Sequence, residues 1–173
     1  MELQTPRLTL RPASLKDLHT THAYAGDLEN TRFMMYLPYA DLAETADFLR
    51  SAEEEWAKSQ PERYEFAICL EGMHIGGVTL YMQEDRTEAE LGWVLHKDYW
   101  RRGYVTEAAL ALMDLARSIG VCRIFACCDS ENVASYKTME KLGMRHVATG
   151  KRTNRSMGDE ERVELVYEIR FDD

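Results

Sequence analysis

One segment, Leu91 to Gly120, restricts the possible folds of this chain more than any other. It reads LGWVLHKDYWRRGYVTEAALALMDLARSIG: an apolar start typical of a strand, a polar joint with Arg-Arg-Gly, and an Ala/Leu-rich stretch. The apolar residues of that stretch recur at helical spacing, at Val105, Ala108, Ala109, Leu112, Leu115, Ala116 and Ile119. Gly120 is placed to end the helix. The fold must therefore lead a strand into a long amphipathic helix through a glycine-containing turn.

The Arg-Arg-Gly joint has the chemistry of an anion site. A helix that begins just after Gly103 leaves its first N–H groups without intrahelical acceptors, and its dipole favours a negative charge there. Arg101 and Arg102 would add positive charge, and Thr106 would add a hydroxyl in the first turn. A solvated turn without a ligand is the alternative. The chain contains neither a P-loop (GxxxxGKS or GxxxxGKT) nor the GxGxxG turn of dinucleotide-binding proteins.

The rest of the chain predicts a mixed α/β domain. Seven segments read as strands: RLTLRPA, YEFAICL, HIGGVTLYM, EAELGWVL, RIFACC, RHVATGK and RVELVYEIRF. Three further helices are predicted, from Ser14 to about Asp27, from Asp41 to just before Ser59, and from Asn132 to Gly143. LENTRFMMYLPYA reads as a loop. No repeat and no long linker divides the chain, which predicts one domain over residues 1–173.

Composition restricts the class of protein. Apolar residues make up 45% of the 173 residues and no apolar run approaches the roughly 20 residues that span a bilayer. MELQTPRLTL lacks the features of a signal peptide, which predicts a cytoplasmic location. Cys69, Cys122, Cys127 and Cys128 form no CxxC pair and are expected to be small hydrophobic residues in buried strands. The net charge of −9 disfavours a duplex-binding surface and suits solubility or a cationic substrate.

Several motifs, in order, resemble one enzyme family. LHKDYWRRGYVTEA resembles the acyl-CoA loop (Q/R)-x-x-G-x-(G/A) of the GNAT N-acetyltransferases, and most closely the form YWGKGYATEA of the Rim-type (RimJ/RimL-like) subfamily. TPRLTLRPASLKDL, TRFMMYLPYADLAETADFL, HIGGVTLY and NVASYKTMEKLGM resemble further segments of that subfamily, so the resemblance covers nearly the whole chain. It implies a GNAT fold of the α/β (α+β) class: a mixed, mostly antiparallel central sheet of about seven strands, splayed in the middle, with helices on both faces.

The resemblance also implies a site for acetyl-CoA. Leu95 would pair its backbone with the pantetheine arm, and the loop that starts at Arg101 would cradle the pyrophosphate. Asn132 would hydrogen-bond the pantetheine, and Ser135 would lie near the thioester sulfur. The cofactor-binding residues implied in this way are Leu95, Arg101, Arg102, Gly103, Tyr104, Val105, Thr106, Asn132 and Ser135.

Four residues depart from the family pattern. Trp100 stands where many GNATs have Gln or Arg, Arg101 replaces a frequent glycine, and Val105 replaces a small residue. The last two would narrow the pyrophosphate pocket, although backbone donors do not require a particular side chain. Met139 lies seven residues beyond Asn132, where many members carry a tyrosine general acid, which disfavours the tyrosine mechanism.

Acetyl transfer to an amine needs a neutral amine, a donor to the developing oxyanion and a proton for the departing thiolate. Backbone N–H groups freed where the strand splays near Leu95 are candidate oxyanion donors. Glu90 is the candidate general base, acting through water, with an ordinary solvent-facing carboxylate as the alternative. Ser135 is the candidate donor to the thiolate, with a hydroxyl bonded to the helix backbone as the alternative.

The predicted function is acetyl-CoA-dependent N-acetylation of a primary amine by direct transfer in a ternary complex. The resemblance implies a protein N-terminal α-amine, whose pKa of about 7.7–8.0 leaves far more neutral nucleophile at pH 7 than lysine at about 10.4. A small cationic amine, such as a polyamine or an aminoglycoside, is one alternative. A non-catalytic acyl-CoA-binding module is another. No nucleic-acid or membrane partner is expected, and a homodimer is left open.

Three sets of residues have weaker indications. A metal is not expected at His19 and His22, because no further ligand has matching spacing. Three aromatic residues are candidates for an acceptor groove, with a core position as the alternative: Tyr36, Tyr39 and Trp56. Three basic residues are expected in a solvated hairpin loop, with contact to phosphates as the alternative: Lys151, Arg152 and Arg155.

Overall fold

A computed structural model describes residues 1–171, which form a single mixed sheet with helices on both faces. The strands are β1 Leu3–Gln4, β2 Leu8–Pro12, β3 Arg63–Leu70, β4 Met73–Met82, β5 Glu88–Leu95, β6 Arg123–Asp129, β7 Arg145–Arg152 and β8 Arg162–Arg170. The helices are α1 Leu18–Ala25, α2 Leu28–Thr31, α3 Leu42–Trp56, α4 Tyr104–Ser118 and α5 Val133–Lys141. The predicted fold class is confirmed.

The sheet has eight strands in the order β1-β2-β3-β4-β5-β6-β8-β7, and only β5 and β6 pair in parallel. Seven of them correspond to the predicted strands. The eighth, β1, is a two-residue edge strand, too short for a periodic pattern to reveal. The parallel pair arises because α4 carries the chain from the end of β5 back to the start of β6.

Each face of the sheet is covered by helices whose apolar side chains match it. On one face, Ala108, Leu112 and Ala116 of α4 pack with fully buried residues of the central strands such as Phe66 and Leu80. On the other, Leu49 and Ala52 of α3 pack on Ala67 and Cys69 of β3, as part of a smaller cluster. The helical periodicity of the sequence therefore predicted the buried side of α4.

The parallel pair β5–β6 is short and then opens. Only three residues of β5 pair with β6: Glu88 with Arg123, Ala89 with Ile124 and Glu90 with Phe125. Beyond Glu90, β5 continues along β4 to Leu95, while β6 continues along β8 to Asp129. The two central strands diverge, as the predicted splay required, and leave a gap with β5 on one side and β6 on the other.

Local signals place most element ends, with two differences. Ser14 and Asp17 form the predicted capping box, but the first turn is a 3-10 turn and α1 begins only at Leu18. The short helix α2 lies in a segment that was predicted to be a loop. Asp41 caps α3 by accepting from the N–H of Glu44, as predicted.

One expectation about the cysteines is wrong. Cys69 and Cys128 are buried, but Cys122 is exposed because it precedes β6 and lies outside the strand. Within residues 1–171, no helix is long and apolar enough to cross a membrane.

Candidate active site

The Arg-Arg-Gly joint has the backbone geometry of an anion site. Arg101 and Gly103 both have left-handed backbone conformations, with φ of 61° and 79°, which turn the chain sharply out of the preceding 3-10 turn. Helix α4 begins at Tyr104, and its first helical hydrogen bond runs from the N–H of Glu107 to the carbonyl of Gly103 at 3.0 Å. The N–H groups of Tyr104, Val105 and Thr106 therefore have no acceptor within the helix.

The side chains of this loop are disposed around those free N–H groups. Arg101 and Arg102 are exposed, Val105 and Thr106 are half-buried, and Tyr104 packs into the core. The positive end of the helix dipole, the exposed N–H groups and two arginines together favour a phosphate. Phosphate binding by these residues stays a prediction.

The gap beside β5 exposes backbone groups of alternate residues. The N–H of His96 donates to the carbonyl of Ile75 at 2.9 Å, so Leu95 and its partner Gly76 form a non-hydrogen-bonded pair. The N–H and C=O groups of Leu95, and by the same alternation those of Trp93, point away from β4 and into the gap. The N–H groups among them correspond to the donors that the splayed strand was expected to supply.

The carbonyl of Leu95 already has two donors. The side-chain amide of Asn30 donates to it at 2.8 Å, and the indole N–H of Trp100 donates to it at 2.8 Å. Asn30 also accepts from the N–H of Lys97 at 2.7 Å, and Lys97 pairs with Asp27 at the start of α2. A pantetheine arm can therefore use the N–H of Leu95, while its carbonyl is occupied by protein donors.

Glu90 lies among charged groups on the face covered by α1 and α3. It is half-buried, and burial raises the pKa of its carboxyl above the usual range. Glu164 on β8 raises the pKa further, and Arg152 lowers it. Burial raises the pKa of the Cys127 thiol to about 12, and the charges of Glu90 and Glu164 add to this increase. Glu90 is therefore a carboxylate of raised basicity beside the gap, as a general base requires.

Ser135 lies on the opposite face, in the first turn of α5. Asn132 caps this helix, and its side-chain oxygen accepts from the N–H of Ser135 at 3.3 Å. Burial raises the pKa of the Cys128 thiol to about 11, and the nearby Ser135 side chain acts to lower it. Among residues 1–171 the hydroxyl of Ser135 makes no hydrogen bond to a backbone carbonyl, in contrast to the alternative considered for it.

The two predicted catalytic side chains therefore lie on either side of the sheet at the same gap. Glu90 pairs with Phe125, and Cys127, two residues further along β6, lies on the same face. Cys128 follows it and faces the other way, toward Ser135 and α5. A thioester lying in the gap would have a carboxylate on one side and a hydroxyl on the other.

Sequence reasoning missed Glu164 and misjudged Arg152. Arg152 was expected in a solvated loop, but it ends β7 and is only 9% exposed, so that expectation is wrong. Its guanidinium donates to Asn154 at 3.0 Å, to Glu164 at 3.3 Å and to the carbonyl of Phe33 at 3.1 Å. One sequence signal could have revealed Glu164. It occupies one of the alternating positions of the apolar strand RVELVYEI, so its carboxylate could have been expected to lie on one face of the sheet.

The other candidate residues lie in different environments. Trp56 is partly buried against the core, meets Phe66 edge to face and donates to the carbonyl of Glu65, whereas Tyr36 is 76% exposed. Tyr39 packs on Phe48, and burial raises its pKa to about 12. Two exposed bases bind acidic neighbours, in the pairs Lys151–Glu161 and Arg155–Glu44.

Met139, which occupies the position of the family's tyrosine, and the pair His19 and His22 lie outside the gap. Met139 is 1% exposed and lies in the core, away from solvent. His22 bonds the Thr45 hydroxyl, and His19 is exposed. In the described part of the chain, no group of three His, Cys, Asp or Glu side chains is arranged to hold a metal ion.

Comparison with known proteins identifies the family. Residues 7–145 match the family model described as the acetyltransferase (GNAT) domain. The chain is 30% identical over 148 residues to the uncharacterized N-acetyltransferase YnaD of Bacillus subtilis, covering 84% of this chain and 83% of YnaD. It is similar to a GNAT-family acetyltransferase structure from Bacillus anthracis, with a TM-score of 0.84, 26% identity and 98% of both chains covered.

A further solved structure shares the fold. RimL, a ribosomal-protein α-N-acetyltransferase solved in complex with coenzyme A, superposes with a TM-score of 0.86 over 99% of both chains, at 16% identity. The family model spans the Arg-Arg-Gly loop, the splayed strands and α5, which are the elements that form the candidate site. The chain is an acetyltransferase and belongs to the GNAT family.

Proposed function

We propose that this acetyltransferase transfers the acetyl group of acetyl-CoA directly to the α-amine of a protein N-terminus. The observation that carries the proposal is the gap between β5 and β6. It has free N–H groups along one edge, a carboxylate of raised pKa on one face and a hydroxyl on the other. This arrangement supplies the three groups that direct transfer from a thioester to an amine requires.

Acetyl-CoA would lie with its pyrophosphate at the start of α4 and its pantetheine along β5. The family fold binds acetyl-CoA, and the residues present fit it. The left-handed Gly103 allows close approach to the free N–H groups of α4. The N–H of Leu95 faces the gap, and the side-chain nitrogen of Asn132 has no protein partner among residues 1–171, so both remain as donors to pantetheine carbonyls.

The chemical step would divide between the two faces. Glu90 would accept a proton from the incoming ammonium through a water molecule, because its raised pKa makes it a stronger base than an ordinary glutamate. The N–H of Trp93 would face the thioester oxygen as it gains charge, while the N–H of Leu95 holds the pantetheine. Ser135 would donate to the sulfur as it leaves. Acetyl-CoA supplies the activated acetyl group.

The acceptor follows from amine chemistry and from the resemblance to RimL. An N-terminal α-amine has a pKa of about 7.7–8.0, so a weak carboxylate base deprotonates it more readily than a lysine side chain. The RimL structure belongs to a ribosomal-protein α-N-acetyltransferase, which supports this choice of acceptor class. Two outcomes would contradict the proposal: acetylation of small cationic amines instead of protein N-termini, and binding of acetyl-CoA without turnover.

In the experiment, the protein is incubated with acetyl-CoA and a panel of acceptors, and the release of the coenzyme A thiol is measured. The panel contains peptides with a free N-terminus, the same peptides N-terminally blocked but carrying a lysine, a polyamine and an aminoglycoside. Turnover of the free N-terminal peptides alone supports the proposal. Turnover confined to the polyamine or the aminoglycoside assigns a small-molecule acceptor, and acetyl-CoA binding with no turnover on any amine refutes catalysis of this kind.

A pair of variants on β5 tests the role of Glu90. Glu90→Gln should lower kcat by about 10²-fold or more at neutral pH with little change in acetyl-CoA affinity. Glu88→Gln is the matched control, because Glu88 lies two residues away on the same face and pairs with Arg123. The loss in Glu90→Gln should shrink as pH rises and free amine becomes abundant. Equal rates in both variants would place the base elsewhere.

A further inference from the structure

A negative side chain lies at the site proposed for the pyrophosphate. Glu107 is in the first turn of α4, one turn beyond Gly103, and its side chain is 15% exposed. A carboxylate is favoured at a helix N-terminus by the helix dipole. The same position makes it a like charge to any phosphate that binds there, so Glu107 would weaken anion binding unless another group compensates its charge.

Arg7 compensates that charge from the other end of the chain. The Arg7 side chain donates from Nε to Glu107 Oε2 at 2.7 Å, and its backbone N–H donates to Oε1 at 2.8 Å. The Thr5 hydroxyl donates to Oε1 at 2.6 Å. Burial by itself raises the pKa of Glu107, but the bonds from Thr5 and Arg7 hold it below its usual range. Glu107 is therefore an ionised, fully bonded carboxylate.

Arg7 also holds the backbone of the phosphate loop. Its Nη1 donates to the carbonyl of Arg102 at 3.0 Å, and its guanidinium lies 4.6 Å from the ring centroid of Tyr104. Its Nη2 lies 3.4 Å from the position that a Cβ on Gly103 would occupy. One guanidinium thus contacts the residue before the glycine and the residue after it, and it borders the glycine itself.

We propose that Arg7 is a positioning residue for acetyl-CoA binding: it fixes the loop at Arg102 and Tyr104 and neutralises Glu107 beside the pyrophosphate. This inference rests on the proposed function, which puts the pyrophosphate at the start of α4. It assigns to the segment before β2 a part in cofactor affinity. Loss of Arg7 leaves Glu107 as an uncompensated negative charge next to the phosphates.

The charge argument predicts a reversal that a purely structural role does not. Arg7→Met should weaken coenzyme A binding by about 10- to 100-fold at low salt, because one unscreened carboxylate then faces the pyrophosphate. Arg7→Met combined with Glu107→Gln should recover most of that loss, although the ion pair is still absent. The loss in the single variant should also diminish at about 0.5 M salt, where charges are screened.

Isothermal titration calorimetry with coenzyme A measures these affinities, and circular dichroism checks that each variant is folded. Arg50→Met is the control for net charge, because Arg50 is exposed on α3 and, within residues 1–171, pairs only with Asp47. It should leave the affinity unchanged. If Arg7→Met does not fold, Arg7→Lys keeps a positive charge beside Glu107 but loses the guanidinium contacts with Arg102 and Tyr104, so it should lose less affinity than the about 10- to 100-fold expected for Arg7→Met.

Two results would overturn the inference: wild-type affinity in Arg7→Met, or a double variant as weak as the single one. A loss in Arg7→Lys as large as the predicted loss for Arg7→Met would also overturn it. Failure of the proposed function looks different, because then Gly103→Glu would leave coenzyme A affinity unchanged. Weak binding in Gly103→Glu together with normal binding in Arg7→Met rejects the inference and retains the phosphate site.

Discussion

Two glycines at the ends of α4 allow a controlled test of the phosphate site. Gly103 and Gly120 both have left-handed backbones, with φ of 79° and 93°. A non-glycine residue there costs about 1–2 kcal/mol. A Cβ at Gly120 meets nothing within 4 Å, and at Gly103 the nearest group is Arg7 at 3.4 Å. Glutamate at either position should therefore lower the free energy of unfolding by a similar amount and lower Tm by about 2–4 °C per kcal/mol.

The two substitutions differ in their predicted effect on coenzyme A. If the added carboxylate in Gly103→Glu is taken to be about 6 Å from a phosphate, Coulomb repulsion at an effective dielectric constant of about 20–40 is about 1.4–2.8 kcal/mol per phosphate charge. That corresponds to a loss of about 10- to 100-fold in affinity, and two phosphate charges bring it to the upper end or beyond. In Gly120→Glu the carboxylate is at the far end of the helix, so affinity should be unchanged.

The assay is calorimetric titration with coenzyme A alongside thermal unfolding of each variant. Gly103→Ala separates strain from charge, because it has the same left-handed backbone without the carboxylate, and it should bind within a few-fold of wild type. Equal affinity in Gly103→Glu and Gly120→Glu, with both folded, would refute the phosphate-site reasoning. An equal loss in Gly103→Ala and Gly103→Glu would assign the effect to loop geometry instead of charge.

Two further predictions concern stability and the leaving group. Burial raises the pKa of Glu65 from 4.5 to about 7, although a hydrogen bond from Thr79 acts to lower it. The folded state then holds this proton more tightly than the unfolded state, so the wild-type protein should lose stability as pH rises through that range. Glu65→Gln should remove that decline, up to about 3 kcal/mol, in urea unfolding at low and high pH; an unchanged pH dependence would contradict it. Ser135→Ala should lower kcat by about 10- to 100-fold with KM nearly unchanged, and Tyr136→Phe should do almost nothing, in steady-state kinetics on one acceptor. A larger loss in Tyr136→Phe would reverse the assignment.

Local sequence signals determined the elements that carry the acyl-CoA loop. Gly103 and Gly120 mark the two ends of α4, and both have the left-handed backbone that glycine tolerates. Asp41 and Asn132 cap the helices predicted to follow them. These features depend on residues within four positions of one another, so spacing along the chain is enough to reveal them.

The tertiary structure decided how charges and donors meet at the site. The pKa of Glu90 is raised because the packed sheet and helices bury it and because β8 brings Glu164 near it, while Arg152 at the end of β7 lowers it. No local spacing indicates these contacts. The carbonyl of Leu95 accepts a hydrogen bond from Asn30, a residue 65 positions earlier, so it is not free.

Long-range contacts of this kind depend on strand order and register. Those are set by how the whole hydrophobic core packs, and the pattern of one segment does not contain them. The sequence thus determined where a phosphate could bind, through the turn and helix at Gly103. Packing determined which distant side chains, Arg7 among them, contact that turn and helix.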